Sequence, residues 1–142
     1  MGPDANGAER TFTSKYPNFQ NLDDDAPVIR ITEMYLTRAE ANLRASTSVG
    51  DTPLNDINAL RARAGLADLT AVDLDIILNE RRKELCFEGF RRIDLLRNSM
   101  DLRRASQPNA ADSAPGANLT IFPIPQIEVD LSEGVLIQND GY

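Results

Sequence analysis

The residues best placed to do chemistry crowd into one stretch, Glu80-Arg81-Arg82-Lys83-Glu84-Leu85-Cys86-Phe87-Glu88-Gly89-Phe90-Arg91-Arg92-Ile93-Asp94-Leu95. Glycoside hydrolysis requires two carboxyl groups flanking the scissile sugar bond, and Glu88 with Asp94 offers such a pair. Every acid in the stretch, however, has an arginine within about one helical turn. An arginine neighbour lowers a carboxyl pKa, the wrong direction for a general acid. The spacing favours structural ion pairs instead: Arg81 with Glu84, and Glu88 with Arg91 or Arg92. On a helical projection Arg81 falls between Leu74 and Leu85, with Glu84 and Glu88 beside it. Charges that edge an apolar face in this way are expected to be partly buried; charges on the opposite face would be solvated.

Other chemistries find little support. The chain has no histidine, so a nucleophile–histidine pair is ruled out. Its single cysteine, Cys86, has Arg82 one turn back, but reads as a small packing residue rather than a nucleophile. Asp23-Asp24-Asp25 lacks the spaced ligands of a calcium loop and reads as a helix-capping and solvating cluster. The glycines form no phosphate cradle. No catalytic residue, metal ligand or cofactor site is therefore assigned. A formal net charge of -7 argues against nucleic acid as a partner. No apolar run is long enough for a spanning helix. The opening Met1-Gly2-Pro3-Asp4 shows no export signal.

These residues need a scaffold, and the pattern is mostly helical. Residues 1–26 are polar and read as an extended arm, with Phe12, Tyr16 and Phe19 anchoring it rather than forming a sugar platform. Residues 27–142 form the helical part. A first helix is predicted over 28–45, with Val28, Ile31, Tyr35, Leu36, Ala39 and Leu43 on one stripe. Arg30, Glu33, Thr37, Glu40 and Arg44 lie opposite, and Met34, Ala41 and Ala45 form a second apolar flank. Asp51 or Thr52 can cap a second helix over 54–64, with Pro53 in its first turn and Gly65 after its end. Leu54, Ile57 and Leu60 should face inward. A third helix is predicted over 74–88, opened by Thr70 or Asp73, with Leu74, Ile77, Leu78 and Leu85 on one face. A short helix to about residue 98 follows, bearing Phe90, Ile93, Leu95 and Leu96. Residues 99–118 read as an exposed loop, 119–124 as a short strand and 135–142 as an irregular tail.

Three blocks carry a family resemblance. The first is Pro27-Val28-Ile29-Arg30-Ile31-Thr32-Glu33-Met34-Tyr35-Leu36-Thr37-Arg38-Ala39-Glu40-Ala41, continued by Leu54 through Gly65. The second is the charged stretch from Glu80 to Arg97. The third is Leu119-Thr120-Ile121-Phe122-Pro123-Ile124-Pro125 with the closing Gln138-Asn139-Asp140-Gly141-Tyr142. In this order they resemble the C-terminal region of SusD/RagB-like proteins. The resemblance implies a mostly α fold with a tetratricopeptide-like helical hairpin, further helices, little or no β structure and long irregular loops. It implies a lipid-anchored protein on the surface of the outer membrane that binds a glycan or other nutrient. That ligand, an oligosaccharide bound by the full-length protein, would pass to a SusC-like TonB-dependent transporter. The chain would be a fragment of a longer, non-enzymatic protein, mainly scaffold, with Arg81, Glu84, Glu88, Arg91 and Arg92 as structural ion pairs. Helix faces shaped for absent repeats would be exposed, so self-association of the fragment, or a rearranged helix order, is expected. The competing reading is a helical-hairpin module that binds another polypeptide.

Overall fold

A computed structural model describes residues 2–3, 7, 9–10, 13–18, 21, 23–102, 106–108 and 110–142. Phe12 and Phe19 of the expected arm lie outside these residues. The chain divides into two compact units, Met1–Phe90 and Arg91–Tyr142. Its elements are β1 (Gly2–Pro3), β2 (Glu9–Arg10), α1 (Ile31–Ala45), α2 (Pro53–Arg63), α3 (Leu74–Glu84), α4 (Phe90–Arg97) and α5 (Gln126–Leu131), with single 3₁₀ turns at Ala111–Ser113 and Asn118–Thr120. β1 and β2 pair antiparallel, Gly2 opposite Arg10 and Pro3 opposite Glu9. The fold is thus helical, as the sequence pattern implies.

In the first unit α1 packs on both α2 and α3. The core is Leu36, Ala39, Ile57, Leu60, Ile77 and Leu85, bordered by Tyr35, Leu43, Leu69, Val72 and Phe90. The helix ends follow local chemistry. Thr52 Oγ1 accepts from the Asn55 amide at 3.1 Å ahead of Pro53, and Asp73 Oδ1 accepts from the Ile76 amide at 2.8 Å. At the end of α2, Gly65 takes φ +70. There the Leu66 amide donates to the Arg61 carbonyl and the Gly65 amide to the Ala62 carbonyl, a paired closure that a residue with a Cβ would strain.

Several expectations are corrected. The first helix starts at Ile31, not Val28, and both Val28 and Ile31 are exposed. The apolar stripe reaches the core only from Tyr35 onward. Glu40, placed on the polar side, is buried, while Met34, Ala41 and Ala45 of the second flank are exposed. Glu40 Oε1 still accepts from Arg44 Nε at 2.8 Å. The acidic triplet does not cap α1, whose N-cap residue is Arg30 without a side-chain cap. Asp24 accepts from the Asn18 amide and Asp23 from the Asn18 side chain, so these carboxylates fold a local turn. The third helix stops at Glu84 rather than Glu88, because Phe87 and Gly89 turn into positive φ. Ile93, expected on the apolar face of the fourth helix, is exposed.

In the second unit the expected strand over 119–124 is absent: Asn118–Thr120 forms a 3₁₀ turn, followed by extended chain. Pro123 and Pro125 lack the amides a ladder requires. Side chains replace that ladder. Gln138 Oε1 accepts from the Ile124 amide at 2.9 Å, and its Nε2 donates to the Ile124 carbonyl at 2.7 Å. Asn139 Nδ2 donates to the Phe122 carbonyl and Tyr142 Oη to the Ile121 carbonyl, each at 2.8 Å. The tail has no helix or strand, yet it is pinned to the Pro-rich segment. The six-residue α5 was not foreseen.

Candidate functional site

In the first unit Arg30, Lys15 and Arg63 meet Glu84 and Glu88 at the end of α3. A helix leaves its last four carbonyls without internal partners, and its C-terminus carries partial negative charge. Arg30 and Lys15 meet this end. Arg30 Nη2 donates to the Glu84 carbonyl at 2.7 Å, and Lys15 Nζ donates to the same oxygen at 2.6 Å. The turn through Phe87 (φ +66) and Gly89 (φ +83) brings Glu88 back beside them. Tyr16 Oη donates to the Phe87 carbonyl at 3.2 Å and ties the turn to the N-terminal segment.

Glu88 then receives a two-pronged guanidinium. Arg30 Nε donates to Oε2 at 2.9 Å and Nη2 to Oε1 at 2.8 Å, while Lys15 Nζ reaches Oε1 at 2.5 Å. Glu84 Oε1 accepts from Arg30 Nη1 at 2.6 Å and from Arg63 Nη2 at 2.8 Å. Arg30 Nη1 also donates to Thr32 Oγ1. The Glu88 side chain is only 3% exposed, against 26% for Arg30 and 20% for Glu84.

Burial disfavours the charged form of Glu88. The hydrogen bonds and positive charges of Arg30 and Lys15 outweigh it and hold the carboxyl below its ordinary value. Glu84 is also lowered, burial again opposing and Arg30 then Arg63 prevailing. Arg30 is raised, its own burial being outweighed by the two glutamates. Carboxyls stabilised as anions in this way accept hydrogen bonds but are poor proton donors at neutral pH.

The expected pairings are therefore redrawn. Glu88 is held by Arg30 and Lys15, not by Arg91 or Arg92. Glu84 is held by Arg30 and Arg63. Arg81 is 5% exposed and its Nη1 donates to Thr37 Oγ1 at 3.3 Å. Arg91 and Arg92 belong to the second unit. Arg92 Nη2 donates to the Thr120 carbonyl at 2.6 Å, and its guanidinium carbon sits 4.2 Å from the centre of the Phe122 ring. Arg91 is exposed. Asp94, the other half of the hypothetical acid pair, accepts from Arg97 Nε at 2.9 Å. Cys86 is exposed rather than packed.

The sequence reading missed Arg30 as the hub, and Lys15 and Arg63 as its companions. It also missed Asn42. That buried side chain donates to the carbonyls of Val49 and Asp51 and accepts from Thr47 Oγ1 and the Val49 amide, all within 3.0 Å, shaping the α1–α2 connection. Among the described residues no histidine, cysteine and carboxylate cluster suits a metal, and no buried side-chain polar atom lacks a partner. No helix among them is long and apolar enough to cross a membrane.

Comparison with known proteins matches the SusD family model over residues 10–142. The chain is 33% identical over 128 residues to the starch-binding protein SusD of Bacteroides thetaiotaomicron, covering 84% of this chain and 22% of that protein. Among solved structures it is similar to surface glycan-binding protein A from Bacteroides thetaiotaomicron, with a TM-score of 0.70 and 28% identity over 83% of this chain and 25% of that one. The same protein in complex with laminarihexaose gives a TM-score of 0.69 at 28% identity, over 82% of this chain and 25% of that one. A putative sugar binding protein from Bacteroides vulgatus gives 0.66 at 27% identity, over 87% of this chain and 30% of that one. The chain spans about a quarter of the length of these relatives.

Proposed function

The chain belongs to the SusD family, and from that membership we propose that it is part of a lipid-anchored, cell-surface protein of the outer membrane that binds an oligosaccharide. The whole protein would deliver its ligand to a SusC-like TonB-dependent transporter. The observation that carries this reading is the family match over residues 10–142, which takes in the five α-helices of the described residues. The relative solved with laminarihexaose supports an oligosaccharide as the ligand class.

Within such a protein this segment is mainly scaffold. Arg81, Glu84 and Glu88 act structurally: the two glutamates are committed to Arg30, Lys15 and Arg63, and these contacts fasten the end of α3 to the entry of α1. Carboxyls held as anions are poorly suited to serve as the acid of a glycosidase, which supports a structural part for Glu84 and Glu88.

A glycan array probed with this chain, and with a longer family protein that contains it, tests the reading. Binding of at least one oligosaccharide by the longer protein, with no release of reducing sugar, is the expected result. Absence of glycan binding by both would overturn it.

A further inference from the structure

Arg91 and Arg92 line an open hollow of about 430 Å³ in the second unit, together with Leu95, Leu102, Ser113 and Leu119. The volume lies within the range of small-molecule sites, and the lining combines apolar surface with a few charged donors, as such sites do. Arg30, Arg38, Arg44, Arg61, Arg63 and Arg97 each hold a carboxylate. Arg91 and Arg92 hold none among the described residues. Arg92 is nevertheless fixed in place, one Nη2–H spent on the Thr120 carbonyl and its guanidinium carbon 4.2 Å from the centre of the Phe122 ring. A guanidinium has five N–H donors, so most of those on Arg92 remain available. Arg91 is exposed and brings a second positive charge to the same hollow.

We propose that this hollow binds the anionic group, carboxylate or sulfate, of an acidic sugar ring, with Arg91 and Arg92 gripping the anion and the leucines lying against the ring's CH groups. The proposal rests on the oligosaccharide-binding reading and adds to it a ligand class and a place. Two guanidiniums that hold no carboxylate among the described residues form charge-assisted bonds with an anion that are roughly twice as strong as those to a neutral hydroxyl. A neutral glucan gains little from them over water. The planar forks of arginine suit both carboxylate and sulfate oxygens.

The test is titration calorimetry of this chain, and of the longer protein, with trigalacturonic acid, a sulfated chondroitin disaccharide, laminarihexaose and inorganic sulfate. At least one acidic sugar should bind this chain about tenfold or more tighter than laminarihexaose, and the advantage should shrink as salt rises. Arg91→Ala, an exposed change that leaves the fold intact, should weaken acidic-sugar binding about tenfold, and Arg92→Ala should do the same. Acidic sugars binding no better than laminarihexaose, indifference to both substitutions, or inorganic sulfate binding as tightly as the sugars would overturn the proposal. If the longer protein binds no sugar of either kind, the oligosaccharide-binding reading itself has failed; neutral binding without acidic preference sinks this inference alone.

Discussion

Removing the Arg30 guanidinium puts the scaffold role to a quantitative test. Arg30 makes four hydrogen bonds to Glu84 and Glu88, all between 2.6 and 2.9 Å. Arg30→Ala leaves two carboxylates four residues apart, one of them on a side chain 3% exposed, with only Lys15 and Arg63 as counter-charges. Truncating one partner of a fully buried pair costs about 3–5 kcal/mol, whereas an exposed pair is worth about 0.2–1 kcal/mol. The burial of Glu88 places this cluster near the first case, and the partial exposure of Arg30 and the surviving cations reduce the figure. A loss of about 2–4 kcal/mol is expected at pH 7. Arg30→Lys should recover part of it, since charge returns without the fork. The pH dependence carries a sign. Glu84 and Glu88 have folded-state values below the 4.5 of the free side chain. Their stabilisation is therefore complete above that value and is lost as pH falls through the lowered ones. In Arg30→Ala the acid-side decline should be shallower, because the strongest opposing charge has gone. Urea denaturation followed by far-ultraviolet circular dichroism from pH 7 to pH 3 reads both quantities. A loss under about 1 kcal/mol with an unchanged acid-side slope would refute the reasoning and assign the cluster to solvated surface.

Arg81→Ala should destabilise by about 3–5 kcal/mol in the same assay, since the residue is 5% exposed and its removal disrupts buried polar contacts; under about 1 kcal/mol would show that the site is solvated. Gln138→Ala should speed amide exchange at Ile124 by about tenfold or more, because that amide loses its acceptor; unchanged protection would mean that the tail is held by other contacts. Val28, Ile29 and Ile31 are 90%, 67% and 69% exposed, so the isolated chain is expected to self-associate in sedimentation velocity as concentration rises. Ile29→Lys with Ile31→Glu should restore the monomer, and a wild-type chain monomeric throughout would count against the idea.

What could be read from the sequence was local. Thr52, Pro53, Asp73 and Gly65 set helix ends through bonds to residues at most a few positions away; the pattern offers two candidates for each cap, of which the structure uses Thr52 rather than Asp51 and Asp73 rather than Thr70, and the glycine closure appears where it is expected. The inward faces of α2 and α3 follow in part from helical spacing: Ile57, Leu60, Ile77 and Leu78 are buried, as is Leu85 just past α3, whereas Leu54 and Leu74 at the helix starts are only half-buried. Periodicity misled at the start of α1, where Val28 and Ile31 continue the stripe but no element of the first unit covers them. It misled again at Glu88, because the positive φ of Phe87 breaks the helix and carries no sequence signal as clear as a glycine.

The helical class, the candidate caps and the family are legible in the residues alone, because each rests on spacing within one segment or on blocks in fixed order. Which cations the glutamates of the charged stretch receive is a matter of long-range packing. The sequence offered neighbours three or four residues away; the fold supplied Arg30 at separations of 54 and 58 residues and Lys15 at 73. The same holds for Gln138, which serves as a strand partner for Ile124 from 14 residues away. A charge takes the partner that burial brings to it, and burial depends on how the whole chain packs, not on the order of its residues along one helix.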